Sequence, residues 1–111
     1  FPTEIVEWMK NLKLFHFEGN NVFAHAFYNG YLLPEQQSRD DVLWTRMSDW
    51  ESYDSSQNCL HLTHGHTPRK HGPIQSQNRT NLDCGAVFYG SYTIGEYEEG
   101  VKGPVDFHTF K

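Results

Sequence analysis

Seven histidines in a chain of 111 residues are the first feature with chemical consequence. Histidine titrates near neutral pH and is the commonest metal ligand, so where the seven fall matters more than their number. Four of them, His61, His64, His66 and His71, fall in one short stretch. Two positions have the placement that metal chemistry uses. His25 closes the apolar run Asn21-Val22-Phe23-Ala24, and His66 stands just past Leu60-His61-Leu62-Thr63-His64-Gly65. A histidine at the carboxyl end of a strand sits where side chains of neighbouring strands converge. A neutral imidazole there can hold Zn, Mn or Fe, and Gly65 is expected to let the backbone approach closely. The alternative for either residue is a hydrogen-bonded loop histidine.

The elements that must position these residues are short. The spacing of Ile5, Val6, Trp8, Met9 and Leu12 predicts a helix over residues 3–11 with Thr3 as N-cap. Leu14-Phe15-His16-Phe17 and Val22-Phe23-Ala24-His25 flank Glu18-Gly19-Asn20-Asn21 and predict a hairpin. Residues 30–38, with Pro34 inside, read as a loop. Residues 40–51 open with Asp40 and Asp41, which suit a helix N-terminus. A polar linker follows over 52–58, then a strand at Cys59-Leu60-His61-Leu62-Thr63. Short strands are expected at residues 80–83, 86–88 and 91–94, before an acidic and then Gly/Pro-containing tail over 96–111.

Composition narrows the classes. Lys+Arg 9 against Asp+Glu 14 gives a net charge of −5, which argues against a nucleic-acid groove binder and favours a basic or neutral partner. A hydrophobic share of 37% predicts a thin core that a partner surface completes. No run is long and apolar enough for a membrane helix and no signal peptide opens the chain, so no membrane role and a cytoplasmic location are expected. Cys59 and Cys84 are read as reduced core thiols, and the sequon at Asn78 is set aside. The start at Phe1-Pro2 instead of methionine reads as a processed product or a fragment.

Four motifs in order carry a resemblance. Val22-Phe23-Ala24-His25-Ala26, Asp41-Val42-Leu43-Trp44-Thr45-Arg46, His64-Gly65-His66-Thr67-Pro68 and the segment Asn78 to Phe88 are similar to the "FVHAG", "LLWxR", "GHTP" and "IDTGAVF" motifs. These belong to the calcineurin-like metallophosphoesterases, in particular bacterial and phage-type serine/threonine phosphatases and their diadenosine tetraphosphatase relatives. The resemblance covers residues 1–95 and implies an α+β fold, the C-terminal half of an αββα metallophosphoesterase β-sandwich. It implies that His25 and His66 ligate the second metal of a dinuclear Mn, Fe or Zn site. It also implies that Arg46 grips the substrate phosphate, a task suited to a guanidinium fork, although a surface ion pair is the alternative. His64 is placed near the site without being a ligand; His16, His61, His71 and His108 match nothing and are read as solvated or structural.

Departures bear on function. Phe27 stands where the family has glycine, and Asp83-Cys84-Gly85 replaces its Asp-Thr-Gly turn. The "Asp-x-His", "Gly-Asp-x-x-Asp-Arg" and "Gly-Asn-His-Glu" motifs do not occur, and with them goes the bridging carboxylate that a two-metal hydrolase needs. The expectation is therefore half of a metal-dependent phosphoester hydrolase, inactive alone, whose substrates would be phosphoproteins or dinucleoside polyphosphates. A protein partner or homo-oligomer would complete it. The alternative is a truncated, catalytically dead, phage-encoded binding or inhibitor protein, for which an aromatic content of 15% would suit an interface.

Overall fold

The computed structural model describes residues 1–46 and 60–111, which form a mixed α+β domain with one five-stranded and one two-stranded sheet. Strands β1 (Phe15–Glu18) and β2 (Asn21–Ala24) make the expected hairpin, Glu18 opposite Asn21. Gly19 turns it with φ 58, the left-handed conformation that a tight hairpin turn asks of its first central residue. Strand β3 (His61–His64) runs parallel to β2, and β5 (Arg79–Asn81) runs parallel to β3. Strand β4 (Ile74–Ser76) closes the far edge antiparallel to β5, so the order is β1-β2-β3-β5-β4. Three parallel strands at the centre bring three carboxyl ends to one edge of the sheet. That edge is where His25, His66 and Asp83 lie.

The central strand is buried throughout, as parallel strands usually are. One face packs Val22 and Leu62 against Phe27 and Tyr28, with Phe15, Ala24 and Leu60 at the margin. Phe27 is thus a core residue. The other face carries polar side chains, and each finds a partner. Asn21 donates to the Val101 carbonyl at 2.8 Å and accepts from the Gly103 amide at 2.7 Å. His61 meets Thr80 Oγ1 at 2.7 Å, Thr63 Oγ1 meets the Tyr97 hydroxyl at 2.7 Å, and the Tyr97 ring packs edge-on to Phe23.

The last segment therefore belongs to the fold. Strand β6 (Tyr92–Glu96) pairs antiparallel with β7 (Asp106–Phe110), and the loop between them covers the polar face of the large sheet. The boundary expected after residue 95 falls inside β6, because backbone pairing and the Asn21 side chain tie the tail down where composition showed only acid and glycine.

Three helices differ from expectation in extent or kind. Helix α1 (Thr3–Lys10) starts at Thr3 itself: Pro2 is the cap residue, and its carbonyl accepts from Ile5 and Val6. None of its residues is buried. Helix α2 (Arg39–Trp44), capped by Ser38, opens one residue before the expected start and ends where Thr45 takes extended backbone. The rest of that expectation, the 52–58 linker and Cys59 lie outside the described residues. Residues 86–88, expected as a strand, lie in the short helix α3 (Ala86–Tyr89), bounded by left-handed Gly85 and Gly90. The expected loop at 30–38 holds a 3-10 turn at Pro34–Gln36.

The core is small, and large apolar side chains remain outside it, Trp8, Val87 and Phe88 among them. Cys84 is buried with a free thiol, 3.0 Å from Thr93 Oγ1. Among the described residues no helix is long and apolar enough to cross a membrane.

Candidate metal centre

His25 is the first residue past β2, and its carbonyl accepts from the Gly65 amide at 2.8 Å, which continues the parallel ladder beyond the ends of β2 and β3. The next residue, His66, turns the chain with φ 70. Gly65 is not required by space: a Cβ there would meet Asp83 and the His25 carbonyl at 3.6–3.7 Å, ordinary contact. The unusual backbone conformation is His66's, a residue type tolerated in the left-handed region more often than most.

The two rings then face each other. His25 Nε2 and His66 Nδ1 are 3.1 Å apart, with ring centroids 4.9 Å apart and planes at 58°. Two nitrogens bound side by side to one cation at about 2.1 Å would be about 3.0 to 3.4 Å apart, so the pair is set at the spacing of adjacent ligands. Without a cation, the same contact is an N–H···N hydrogen bond between the two rings. Burial, then the nearby Arg46 guanidinium and His25, lower the His66 pKa and favour the neutral ring that a metal needs.

A cleft of about 430 Å³ opens at this edge, lined by His25, His64, His66 and Asp83 with Phe23 and Leu82. His64 is buried, its Nδ1 3.0 Å from the Gly65 carbonyl, and burial holds its pKa down to about 4, so the ring is neutral at physiological pH. Arg46 donates from Nη1 to the His66 carbonyl at 2.9 Å, and the Trp44 ring stands edge-on to His66 at 5.8 Å. Both reach the site because the Val42 carbonyl at the core of α2 accepts from Ala26 and Phe27, just past His25.

Asp83 is a cleft residue that reading the motif as turn chemistry left without a role. It lies two residues past β5, where the same strand-end logic that singled out His25 and His66 applies. Its Oδ1 accepts from the Gly85 amide at 2.9 Å. Among the described residues no third histidine, cysteine or carboxylate atom lies within 4.8 Å of both histidine nitrogens. One other group does converge: Glu96, Asp106 and His108, all exposed on one face of the β6–β7 hairpin. Their cross-strand register, invisible without the pairing, makes them neighbours. Of the remaining histidines, His61 is structural and buried, His71 is exposed, and His16 contacts Glu18 at 2.8 Å on the surface.

The chain matches no protein-family model, no curated protein and no solved structure.

Proposed function

We propose that this chain carries one metal-binding half of a metal-dependent phosphoester hydrolase of the serine/threonine phosphatase type, the C-terminal half of a metallophosphoesterase αββα sandwich. The observation that carries the reading is the 3.1 Å approach of His25 Nε2 to His66 Nδ1 at the carboxyl ends of adjacent parallel strands. The donor set fits a Mn, Fe or Zn ion: two imidazoles, that of His66 with its protonation disfavoured by burial and by Arg46. When bound, such a cation polarises a phosphoryl oxygen. His25 and His66 hold it, and Arg46 offers guanidinium donors to phosphate oxygens. His64 lines the cleft as a neutral ring. Two nitrogens leave most of a coordination shell to be supplied, and the described residues add no third histidine, cysteine or carboxylate within reach of both. A segment outside the described residues has to bring carboxylates, and without it the pair is expected to hydrolyse nothing.

Paramagnetic broadening by Mn²⁺ tests this at low occupancy. The ring signals of His25 and His66 should broaden together at sub-stoichiometric Mn²⁺, and each should lose the effect when the other is replaced by alanine. Broadening of His108 first, or of no histidine, would refute the site.

A second reading, a phosphatase-derived binding or inhibitor protein, is favoured by the apolar side chains left in solvent, Val87 at 94% and Phe88 at 71% exposure. It is the reading that remains if His25 and His66 do not share a cation.

A further inference from the structure

We infer that Arg46 is a positioning residue for the histidine pair: its guanidinium holds His66 in a left-handed turn so that Nδ1 meets His25 Nε2. The inference rests on the reading of that pair as a metal site, and it adds a task that gripping phosphate does not include. His66 is the only described residue other than glycine with a positive φ. L-residues avoid that conformation, and it persists where surrounding contacts over-determine it. Three contacts do so here. The Gly65 amide, immediately before His66, is bonded to the His25 carbonyl at 2.8 Å. The Trp44 ring packs edge-on to the imidazole. Arg46 Nη1 donates to the carbonyl of His66 itself at 2.9 Å, a charge-assisted bond and so stronger than a neutral one.

The consequence is geometric. Rotation of the His66 backbone out of the left-handed region would swing its carbonyl off Arg46 and its ring off His25, so the Arg46 contact and the 3.1 Å nitrogen pair stand or fall together. Arg46 is able to do this and still meet a phosphate, because a guanidinium has several N–H donors and one is engaged at the carbonyl. The end of α2 and the extended residues just past it thus reach the site twice, through Trp44 on the ring and Arg46 on the backbone. Partners of this kind, one step removed from a metal, commonly govern its affinity by about 10–100-fold.

Arg46→Met, which keeps the side-chain stem without the donors, and Arg46→Lys, which restores a cationic donor, test the inference with the Mn²⁺ readout. Arg46→Met should require about tenfold more Mn²⁺ to broaden His25 and His66, with Arg46→Lys recovering part of the loss. In the metal-free protein, Arg46→Met should shift the ring ¹⁵N signals of both histidines as their mutual hydrogen bond is lost. Equal Mn²⁺ response and unchanged ¹⁵N shifts in Arg46→Met would overturn the inference while leaving the metal pair standing. The same holds if Arg46→Met weakens only inorganic phosphate binding to the Mn²⁺-loaded chain. If the wild-type histidines take no Mn²⁺, the metal reading fails, and the ¹⁵N shifts still decide whether Arg46 sets the pair.

Discussion

Replacing His64 with glutamine removes a titrating group from the interior of the large sheet while leaving a polar side chain there. His64 is 3% exposed, and burial is the main reason its pKa falls from 6.5 to about 4. Between those two values the unfolded chain binds a proton at this residue and the folded chain does not, so acid favours unfolding there. The contribution is fully present above the unfolded pKa and is lost as pH falls toward the folded one. A separation of that size corresponds to about 3 kcal/mol once the loss is complete, and to about 2 kcal/mol between pH 7 and pH 5. His61, buried and with its pKa also lowered by burial, adds to the loss with the same sign. Urea unfolding followed by circular dichroism, for wild type and His64→Gln at a series of pH values, isolates the residue. All other groups titrate in both chains, so only the difference between the two curves matters. His64→Gln should lose about 2 kcal/mol less than wild type between pH 7 and pH 5. Identical losses would refute the reasoning and mean that His64 takes up its proton in the folded state at its ordinary pKa.

Two further outcomes test the structure elsewhere. Gly85→Ala should destabilise by more than Gly90→Ala in urea unfolding. Both glycines are left-handed and share a penalty of about 1–2 kcal/mol, but only at Gly85 would a Cβ press into the Tyr89 ring, 2.7 Å from Cδ2; equal losses would contradict the packing of α3. Trp8→Ser and Phe88→Ser should each change unfolding stability by less than about 0.5 kcal/mol, since the side chains are 63% and 71% exposed. A loss of more than about 2 kcal/mol in the isolated chain would mean that those faces are covered in solution.

What could be read directly from the residues was local. An apolar run ending in histidine occurs at His25 and again near His66, and strand alternation with glycine turns predicted β1, β2 and β3 closely. Hydrophobic periodicity and a turn glycine act over a few neighbours, so they are legible one segment at a time. The scarcity of apolar residues likewise announced the small core. Helix α3 was misread because Ala86-Val87-Phe88 has strand-like composition, while the left-handed glycines on either side decided its form. The tail was illegible because what holds it, Asn21 on Val101 and Gly103 and Tyr97 on Thr63, spans most of the chain or a third of it. The site itself divides the same way. Residue type marked His25 and His66 as able to bind a metal, but whether they meet depends on the parallel register of β2 with β3, on the turn at His66 and on the reach of Arg46 from just past α2. Those are long-range choices, made by the packing of elements far apart in sequence, and only the folded chain brings the two nitrogens to 3.1 Å.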